Sequence, residues 1–332
     1  MLRSVAIAVV PFVLFFAFCN FLSSHPSVAT LLSLETWAKQ AYSGRADSFL
    51  AECARYDDRV TYLLRPGRCR FANVEFDTEV SVNSFGLRDD EESLNGPEVI
   101  VLGDSHAMGL GVEDQEAFPQ VLEQMLGQKV LNAGVNSFGT ARELMLLGLL
   151  LETTAAPVIV IQYCDNDLEE NQKLLQQGIL PIRSESEYER LVLQGSSSYL
   201  NLLGPGLSVL RSTAAGILPG TRLPQGVEAD KVQAEAFVDV LARATDLLRG
   251  RHVVILELTG LSRMNSQFID IAQSRSLDLG LDLTFVNVSP VLTAQDYLVL
   301  DSHMRPSGHE KVAALLARVI GGRKEAPGDA HN

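Results

Sequence analysis

Hydrophobic and polar positions follow regular periods from about residue 98 to residue 320. Short apolar runs predict five buried β-strands, at residues 99–102, 130–131, 158–163, 253–258 and 284–288. Between them, apolar residues recur three and four positions apart, which is typical of amphipathic helices. The predicted helices cover residues 118–126, a segment beginning at Thr140, and residues 229–249, 264–276 and 308–320. Strands that alternate with helices predict an α/β fold, a three-layer α/β/α sandwich around a five-stranded parallel sheet.

Several stretches of the chain fall outside this alternation. Residues 1–26 are predicted to form a signal anchor or signal peptide, and residues 27–95 an N-terminal extension with short strands. Residues 173–226 interrupt the main domain, residues 96–322, with glycine, proline and serine. This interruption predicts an insertion or lid that is partly helical. Residues 323–332 are polar and are predicted to form a flexible tail.

The N-terminal segment is apolar from Val5 to Leu22 except at Asn20, and Arg3 precedes it. A helix of about 18 residues spans roughly 27 Å, close to the thickness of a bilayer core. A cleaved signal peptide ending near Ala29 is the alternative, although its apolar region is usually no longer than about 15 residues. In both cases we expect the main domain outside the cytoplasm, periplasmic and membrane-anchored if the segment is retained, or secreted if it is cleaved.

The charge balance limits the partners. The 332 residues include 27 Lys and Arg against 41 Asp and Glu, which gives a net charge of -14. A surface this acidic repels phosphate backbones, so we exclude nucleic acid as a partner. The sequence has no CxxC or HExxH spacing, so we expect no metal ion. The serine chemistry predicted below needs no organic cofactor either.

Two of the four cysteines flank a polar, turn-rich stretch. A disulfide between Cys53 and Cys69 would close a loop of about 15 residues and stabilise the protein by about 3 kcal/mol in an oxidising compartment. No sequence rule fixes this pairing, and two free thiols are the alternative.

A serine follows the first predicted strand on a glycine-rich turn, in the motif GDSH at residues 103–106. Ser105 is a candidate helix cap and, alternatively, a candidate nucleophile. A nucleophilic serine needs a base, a group that orients the base, and hydrogen-bond donors for the developing oxyanion. Other segments of the chain supply candidates for each of these groups.

The C-terminal stretch "LDSHMRPSGHEK" supplies a base and its partner. His303 lies in the loop before the last helix, and Asp301 is placed to accept a hydrogen bond from its Nδ1. Ser307 and Glu310 form a predicted capping box, which puts His309 inside the first helical turn. His106 is adjacent to Ser105 in sequence, but its side chain is expected to diverge, so it is the third candidate base.

Oxyanion donors are available after the second and third strands. Loop amides near Ser137 would supply backbone donors, and Asn166 would supply a side-chain amide. Each stretch taken separately is also an ordinary turn or helix cap. Because ligands bind at the carboxyl ends of parallel strands, we expect these segments to converge on one edge of the sheet.

The order of these segments resembles the SGNH (GDSL-type) hydrolase superfamily over residues 96–322, and "NSFGLRDDE" resembles the lead-in of its membrane-anchored bacterial members. The resemblance implies a flavodoxin-like fold, Ser105 as the nucleophile, and Asp301 and His303 completing a triad. It also implies an oxyanion hole formed by the amides of Ser105 and Ser137 and by Asn166. The sequence departs from the family pattern at Ser137 and at Cys164, which stand where the family has glycine.

These residues predict an exported serine esterase that removes acyl groups, acetyl above all, from oxygen. The expected substrate is a cell-envelope or exported glycan or an acylated small molecule. The closest alternative is an O-acyltransferase that modifies an exported polysaccharide with the same triad, and a catalytically silent glycan-binding protein is another. A nucleotide-binding protein is disfavoured, because "GDSHAMGLG" matches neither a GxGxxG motif nor a Walker loop.

Overall fold

The structure is a computed structural model that describes residues 2–42, 49–197, 202–217, 226–260 and 266–322, without the side chains of residues 2–9, 194–197 and 215–217. The predicted flexible tail, residues 323–332, lies outside the described residues. So do parts of the predicted insertion and the start of the helix predicted at residues 264–276.

Helices and short strands alternate along the described part of the chain. The helices, in chain order, are α1 (Leu2–Leu22), α2 (Pro26–Leu31), α3 (Glu35–Tyr42), α4 (Phe49–Cys53), α5 (Ser105–Met108), α6 (Phe118–Leu126), α7 (Thr140–Leu151), α8 (Leu168–Gln177), α9 (Glu185–Ser197), α10 (Gly204–Ile217), α11 (Val227–Arg243), α12 (Thr245–Leu248), α13 (Phe268–Asp278) and α14 (Pro306–Gly322). The strands are β1 (Ala54–Asp57), β2 (Thr61–Leu64), β3 (Gly67–Ala72), β4 (Asp77–Val82), β5 (Val99–Gly103), β6 (Val130–Gly134), β7 (Val158–Tyr163), β8 (His252–Glu257) and β9 (Leu283–Val286).

Strands β5 to β9 form one parallel sheet in the order β6-β5-β7-β8-β9. Val99 of β5 pairs with Val130 on one side and with Val158 on the other. Counted within the sheet, the order is 2-1-3-4-5, which is that of doubly wound flavodoxin-like sheets. Such sheets bind ligands where the strand order reverses, at the carboxyl end of the first strand. The predicted five-stranded parallel sheet is confirmed, and its first strand leads into Ser105.

The sheet lies between two layers of helices, each with its own apolar core. Ile100 and Leu102 of β5 pack with α7, α11 and α13 on one face. Val99 and Val101 pack with α6 and α14 on the other face. Successive side chains of a strand point to opposite faces, so the uninterrupted apolar run of β5 contributes side chains to both cores.

Both predicted capping boxes are wrong, although α7 begins at the predicted residue and α14 within two residues of it. The Thr140 hydroxyl donates to Asp167 Oδ2 at 2.6 Å. Glu143 is fully buried, and neither of its carboxyl oxygens has a hydrogen-bond partner among the described residues. The Ser307 hydroxyl likewise donates to Asp296 Oδ1 at 2.8 Å. Each hydroxyl donates to a carboxylate outside its own helix, and each residue lies inside the helix that it was predicted to cap, because α7 begins at Thr140 and α14 begins at Pro306.

The N-terminal extension contains two antiparallel hairpins, β1–β2 and β3–β4. Together with α4 they bury an apolar cluster that also includes Met108 and Leu110, which directly follow the GDSH motif. Cys53 and Cys69, in α4 and β3, are joined by a disulfide with a Cα–Cα distance of 5.5 Å. The extension therefore packs on the segment that carries Ser105.

Replacing both Cys53 and Cys69 by serine is expected to lower the free energy of unfolding by about 3 kcal/mol, because the open chain regains the entropy that the closed loop removes. Urea denaturation of the oxidised protein and of the double variant measures this difference. Equal midpoints and equal slopes for the two proteins would show that the crosslink contributes no stability.

The three N-terminal helices α1, α2 and α3 form a group with α10, in which α1 packs against α3 and α10. Gly206 of α10 faces the Phe16 ring so closely that a Cβ would collide with it. Phe16, Cys19 and Leu22 of α1 are buried, whereas the preceding part of the helix exposes apolar side chains, those of Val10, Phe12, Val13 and Leu14. Of the predicted insertion, α10 packs on this group and α9 packs on α4, β1 and β2.

The predicted anchor is only partly described, because Met1 and the side chains of residues 2–9 are not. Within the part of the chain that the structure describes, no helix is both long enough and apolar enough to cross a membrane.

Candidate active site

The turn after β5 is shaped by two close approaches. Gly103 ends β5, and a Cβ at this position would collide with the side chains of Gln162 and Ala107. Gly134 ends the neighbouring strand β6, and a Cβ there would collide with the backbone of Met108 in α5. Because neither position carries a side chain, the short helix α5 sits directly on the sheet and Ser105 begins it at the carboxyl end of β5.

Gln162 of the neighbouring strand β7 is hydrogen-bonded to this turn. Its Oε1 accepts hydrogen bonds from the backbone N–H groups of Asp104 at 3.1 Å and Ala107 at 3.2 Å, while its Nε2 donates to the Leu258 carbonyl at 3.3 Å. The side chain is fully buried in β7. The sequence analysis missed this residue, although a primary amide inside an otherwise apolar strand could have revealed it, since buried amides are retained where they are hydrogen-bonded.

The structure brings Ser105, His303 and Asp301 together. His303 Nε2 lies 2.6 Å from Ser105 Oγ, and His303 Nδ1 is hydrogen-bonded to Asp301 Oδ1. The same carboxylate oxygen accepts the backbone N–H of His303 at 3.1 Å. Ser105 and His303 are 198 positions apart in the chain, so the contact is made by the fold and not by local sequence.

The charge on Asp301 determines which nitrogen of His303 carries the proton. Burial opposes ionisation, but attraction to His303 and hydrogen bonds from it outweigh burial and lower the pKa of Asp301 to about 2. An ionised carboxylate only accepts hydrogen bonds, so Nδ1 carries the proton and Nε2 is left as the acceptor for the Ser105 hydroxyl. This is the tautomer in which an imidazole can remove a proton from serine.

The other two candidate histidines are buried. His309 lies in the first turn of α14, where its Nδ1 accepts the backbone N–H of Phe118 at 3.2 Å, and burial lowers its pKa to about 3. The His106 ring lies 4.8 Å from the His303 ring, centroid to centroid, and its buried Nδ1 has no hydrogen-bond partner in the part of the chain that the structure describes. Burial lowers the pKa of His106 to about 4, so a neutral ring packs beside His303 near neutral pH.

The two candidate oxyanion segments flank the nucleophile turn. Strands β6 and β7 lie on either side of β5, so the loops carrying Ser137 and Asn166 both leave the sheet at the edge where Ser105 lies. Both side chains are exposed. Ser137 has a φ of 62°, a left-handed conformation that glycine adopts more readily, which explains why glycine suits this position.

Contacts made by Asp167 join these two loops. Its Oδ2 accepts the backbone N–H of Thr140 at 3.2 Å, in addition to the hydroxyl bond described above. Burial, followed by repulsion between nearby carboxylates, raises the pKa of both Asp167 and Glu143 well above the usual range. A raised pKa disfavours the charged form of both carboxyl groups and so reduces the negative charge beneath these loops.

Comparison with known proteins adds a distant similarity of fold. No protein-family profile and no curated protein matches the chain. Among solved structures it is similar to a lipase/acylhydrolase from Enterococcus faecalis, at 15% identity and a TM-score of 0.40 over 68% of this chain and 96% of that one. It is also similar to an acetyl xylan esterase from the rumen bacterium Butyrivibrio proteoclasticus, at 11% identity and a TM-score of 0.41 over 69% and 64%. Similarities this distant carry no argument about chemistry, which rests on the residues of this chain.

Proposed function

We propose that this protein is a serine esterase that removes acyl groups from oxygen. The observation that carries the proposal is the hydrogen-bonded series from Asp301 through His303 to Ser105, with 2.6 Å between His303 Nε2 and Ser105 Oγ. A helix cap needs no imidazole at its hydroxyl, whereas a nucleophile needs a base at this distance whose tautomer is fixed by a third group.

In the proposed reaction, Ser105 Oγ attacks the ester carbonyl carbon while His303 Nε2 takes the hydroxyl proton. Asp301 stabilises the imidazolium that forms, and the amides of Ser105 and Ser137 together with Asn166 stabilise the oxyanion. His303 then gives its proton to the departing alkoxide oxygen, which leaves an acyl group on Ser105. A water molecule, deprotonated by His303, attacks the acyl carbon and releases the acid and the free serine.

The accessibility of the site favours small acyl groups. Ser105 is only 7% exposed, and the side chains of Asp301 and His303 are each 14% exposed. A nucleophile this enclosed suits an acetyl ester better than a long acyl chain, and it leaves the alcohol part of the substrate at the surface. We therefore propose acetylated sugar hydroxyls as the substrate class, on a cell-envelope or exported glycan.

A fluorophosphonate probe and a panel of p-nitrophenyl esters of increasing acyl length test this proposal. We expect covalent labelling at Ser105 and fastest turnover of the acetyl ester. Incubation with an acetyl donor and a glycan acceptor separates hydrolysis from transfer, because a transferase would form acetylated glycan faster than free acetate. A folded protein that the probe does not label and that hydrolyses no ester of the panel would contradict the proposed function.

Replacing Asn166 by alanine is expected to lower kcat about 100- to 1,000-fold, which is the usual cost of removing one oxyanion donor. Replacing Ser137 by glycine or alanine is expected to leave kcat within about threefold, because a backbone amide does not depend on the side chain. Steady-state kinetics with p-nitrophenyl acetate compare the variants. An unchanged kcat in the Asn166→Ala variant would remove Asn166 from the proposed hole, and a large loss in the Ser137 variants would show that the side chain of Ser137 is needed besides its amide.

We also propose that the protein is held at the membrane by its N-terminal helix, with the main domain on the extracytoplasmic side. The apolar run of the sequence and the exposed apolar side chains on the described half of α1 support this proposal, those of Phe12, Val13 and Leu14 among them. Alkaline extraction of membranes from cells that express the full chain is expected to leave it in the pellet. Release into the supernatant would contradict a retained anchor.

A further inference from the structure

A carboxylate from the N-terminal extension is bound to the loop that carries Asp301. Glu75 Oε1 accepts the backbone N–H of Val299 at 2.7 Å, and its Oε2 accepts those of Leu300 and Asp301, both at 2.8 Å. Three successive amides that converge on one anion form a nest, an arrangement that holds the backbone in a single conformation. These contacts connect parts of the chain that are 224 to 226 positions apart.

The loop that carries Asp301, residues 298–303, is closed at its base by backbone contacts, and Glu75 binds the backbone at its tip. Tyr297 and Met304 form an isolated antiparallel bridge, and the Leu298 N–H donates to the His303 carbonyl at 3.0 Å. The residues between these contacts would otherwise leave three consecutive N–H groups without strand partners. Glu75 satisfies them, and one of the three belongs to Asp301 itself.

Glu75 is itself placed by a rigid turn at the tip of the β3–β4 hairpin. Asn73 Oδ1 accepts the backbone N–H groups of Glu75 at 2.7 Å and Phe76 at 3.1 Å, and the Asn73 amide donates to the Tyr42 hydroxyl at 2.9 Å. Space for this tip is left by Gly111, where a Cβ would press on Phe76 and Leu298. The hairpin thus presents a fixed carboxylate to the loop.

The position of Asp301 matters because its side chain orients the base. Asp301 Oδ1 accepts both the backbone N–H and the Nδ1–H of His303, so a shift of the Asp301 backbone moves the imidazole ring with it. A displacement of about 1 Å at a catalytic group can cost about 100-fold in rate. The bonds that Glu75 accepts come from the loop backbone, so it would act on the ring only through that backbone.

We propose that Glu75 is a positioning residue of the active site, through which the N-terminal extension holds Asp301 and His303 in line with Ser105. The proposal rests on the proposed function for its kinetic consequences. It assigns the β3–β4 hairpin a part in catalysis that goes beyond the stability of the fold, because the hairpin supplies the carboxylate to which the backbone of the Asp301 loop is hydrogen-bonded.

Replacing Glu75 by alanine is expected to lower kcat for p-nitrophenyl acetate about 10- to 100-fold with little change in KM, because the alignment of the base is lost but the binding surface is not. Glu75→Gln is expected to be intermediate, since one amide oxygen can still accept two N–H groups while its NH2 group opposes the third. The rate of fluorophosphonate labelling should fall in the same order.

The matched control is Glu79→Gln on the same hairpin, since Glu79 is exposed and pairs with Arg68 at the surface. This variant is expected to keep the kcat of the unmodified protein. Urea denaturation identifies any variant that is partly unfolded under assay conditions, and Glu75→Gln keeps the comparison possible if the alanine variant does not fold. A folded Glu75→Ala protein with the kcat of the control would overturn the proposal.

Proton NMR provides a test that does not depend on turnover. The Nδ1–H of His303, hydrogen-bonded to Asp301, is expected to give a far-downfield resonance that disappears in His303→Ala. We expect it to shift or broaden in Glu75→Ala and to stay unchanged in Glu79→Gln, and an unchanged resonance in Glu75→Ala would overturn the proposal. If the unmodified protein hydrolyses no ester, the proposed function fails, whereas this resonance still tests the positioning role of Glu75.

Discussion

Replacing Ser105 by alanine is expected to lower kcat/KM for p-nitrophenyl acetate by about 10⁴-fold or more, because the acyl-enzyme can no longer form. His303→Ala should cost about the same, since the serine hydroxyl then has no base at 2.6 Å. The two residues act as one unit, so the double variant is expected to be no slower than either single variant. Stopped-flow and steady-state measurements on folded proteins test all three values.

The matched control for this result is Ser276→Ala. Ser276 is a buried serine of α13, and its hydroxyl donates to the Gln273 carbonyl of its own helix at 2.8 Å. Removing it changes packing and one hydrogen bond but leaves the proposed site intact, so activity should persist. A Ser105→Ala protein that keeps the rate of this control would remove Ser105 from the proposed reaction. The cap that the sequence offered at Ser105 is supplied by Asp104 instead, whose Oδ1 accepts the backbone N–H of His106 at 2.9 Å.

The neutral state of His106 bears on the same chemistry. Its ring packs against His303, so a charge on His106 would repel the imidazolium that forms when His303 takes the serine proton. Burial keeps the pKa of His106 at about 4, and above that pH the neighbouring ring adds no positive charge. A second imidazole can therefore lie beside the base without opposing the proton transfer.

Periodicity and strand-end chemistry predicted much of this molecule from the sequence. The apolar spacing at residues 118–126 gave the bounds of α6, and the short apolar runs gave the strands of the sheet. Ser105 could be singled out because it directly follows a strand, and Asp301 and His303 because they lie two residues apart in the loop before the last helix. Both features can be predicted from one sequence, because they depend on the spacing of residues within short segments.

Contacts between distant segments could not be predicted in the same way. Nothing local to Glu75 indicates that three amides more than 220 positions away converge on it. The predicted capping boxes failed for the same reason, since Asp167 and Asp296 reached Thr140 and Ser307 from other parts of the fold. A single sequence shows which hydrogen-bond partners are close along the chain, but it does not show which partners the fold brings in from other segments.

Replacing Asp301 by asparagine is expected to lower kcat by about 10³- to 10⁴-fold, which separates the orientation of the base from the presence of the base. Asp301 Oδ1 accepts both the backbone N–H and the Nδ1–H of His303, so asparagine can place either its oxygen or its NH2 group at that position. With the oxygen there, the imidazolium loses the negative charge beside it. With the NH2 group there, Nδ1 becomes an acceptor and the ring proton moves to Nε2, where it faces the Ser105 hydroxyl. The base is then present but protonated on the wrong nitrogen.

Steady-state kinetics and the far-downfield Nδ1–H resonance measure this change together, because the asparagine variant should lose both activity and resonance while staying folded. Asp239→Asn is the matched control, since Asp239 pairs with Arg275 at the surface at 2.7 Å and such pairs contribute little. An Asp301→Asn protein within about tenfold of this control in kcat would mean that the carboxylate does not fix the tautomer, because a wrong tautomer costs far more. The catalytic unit would then consist of Ser105 and His303 alone.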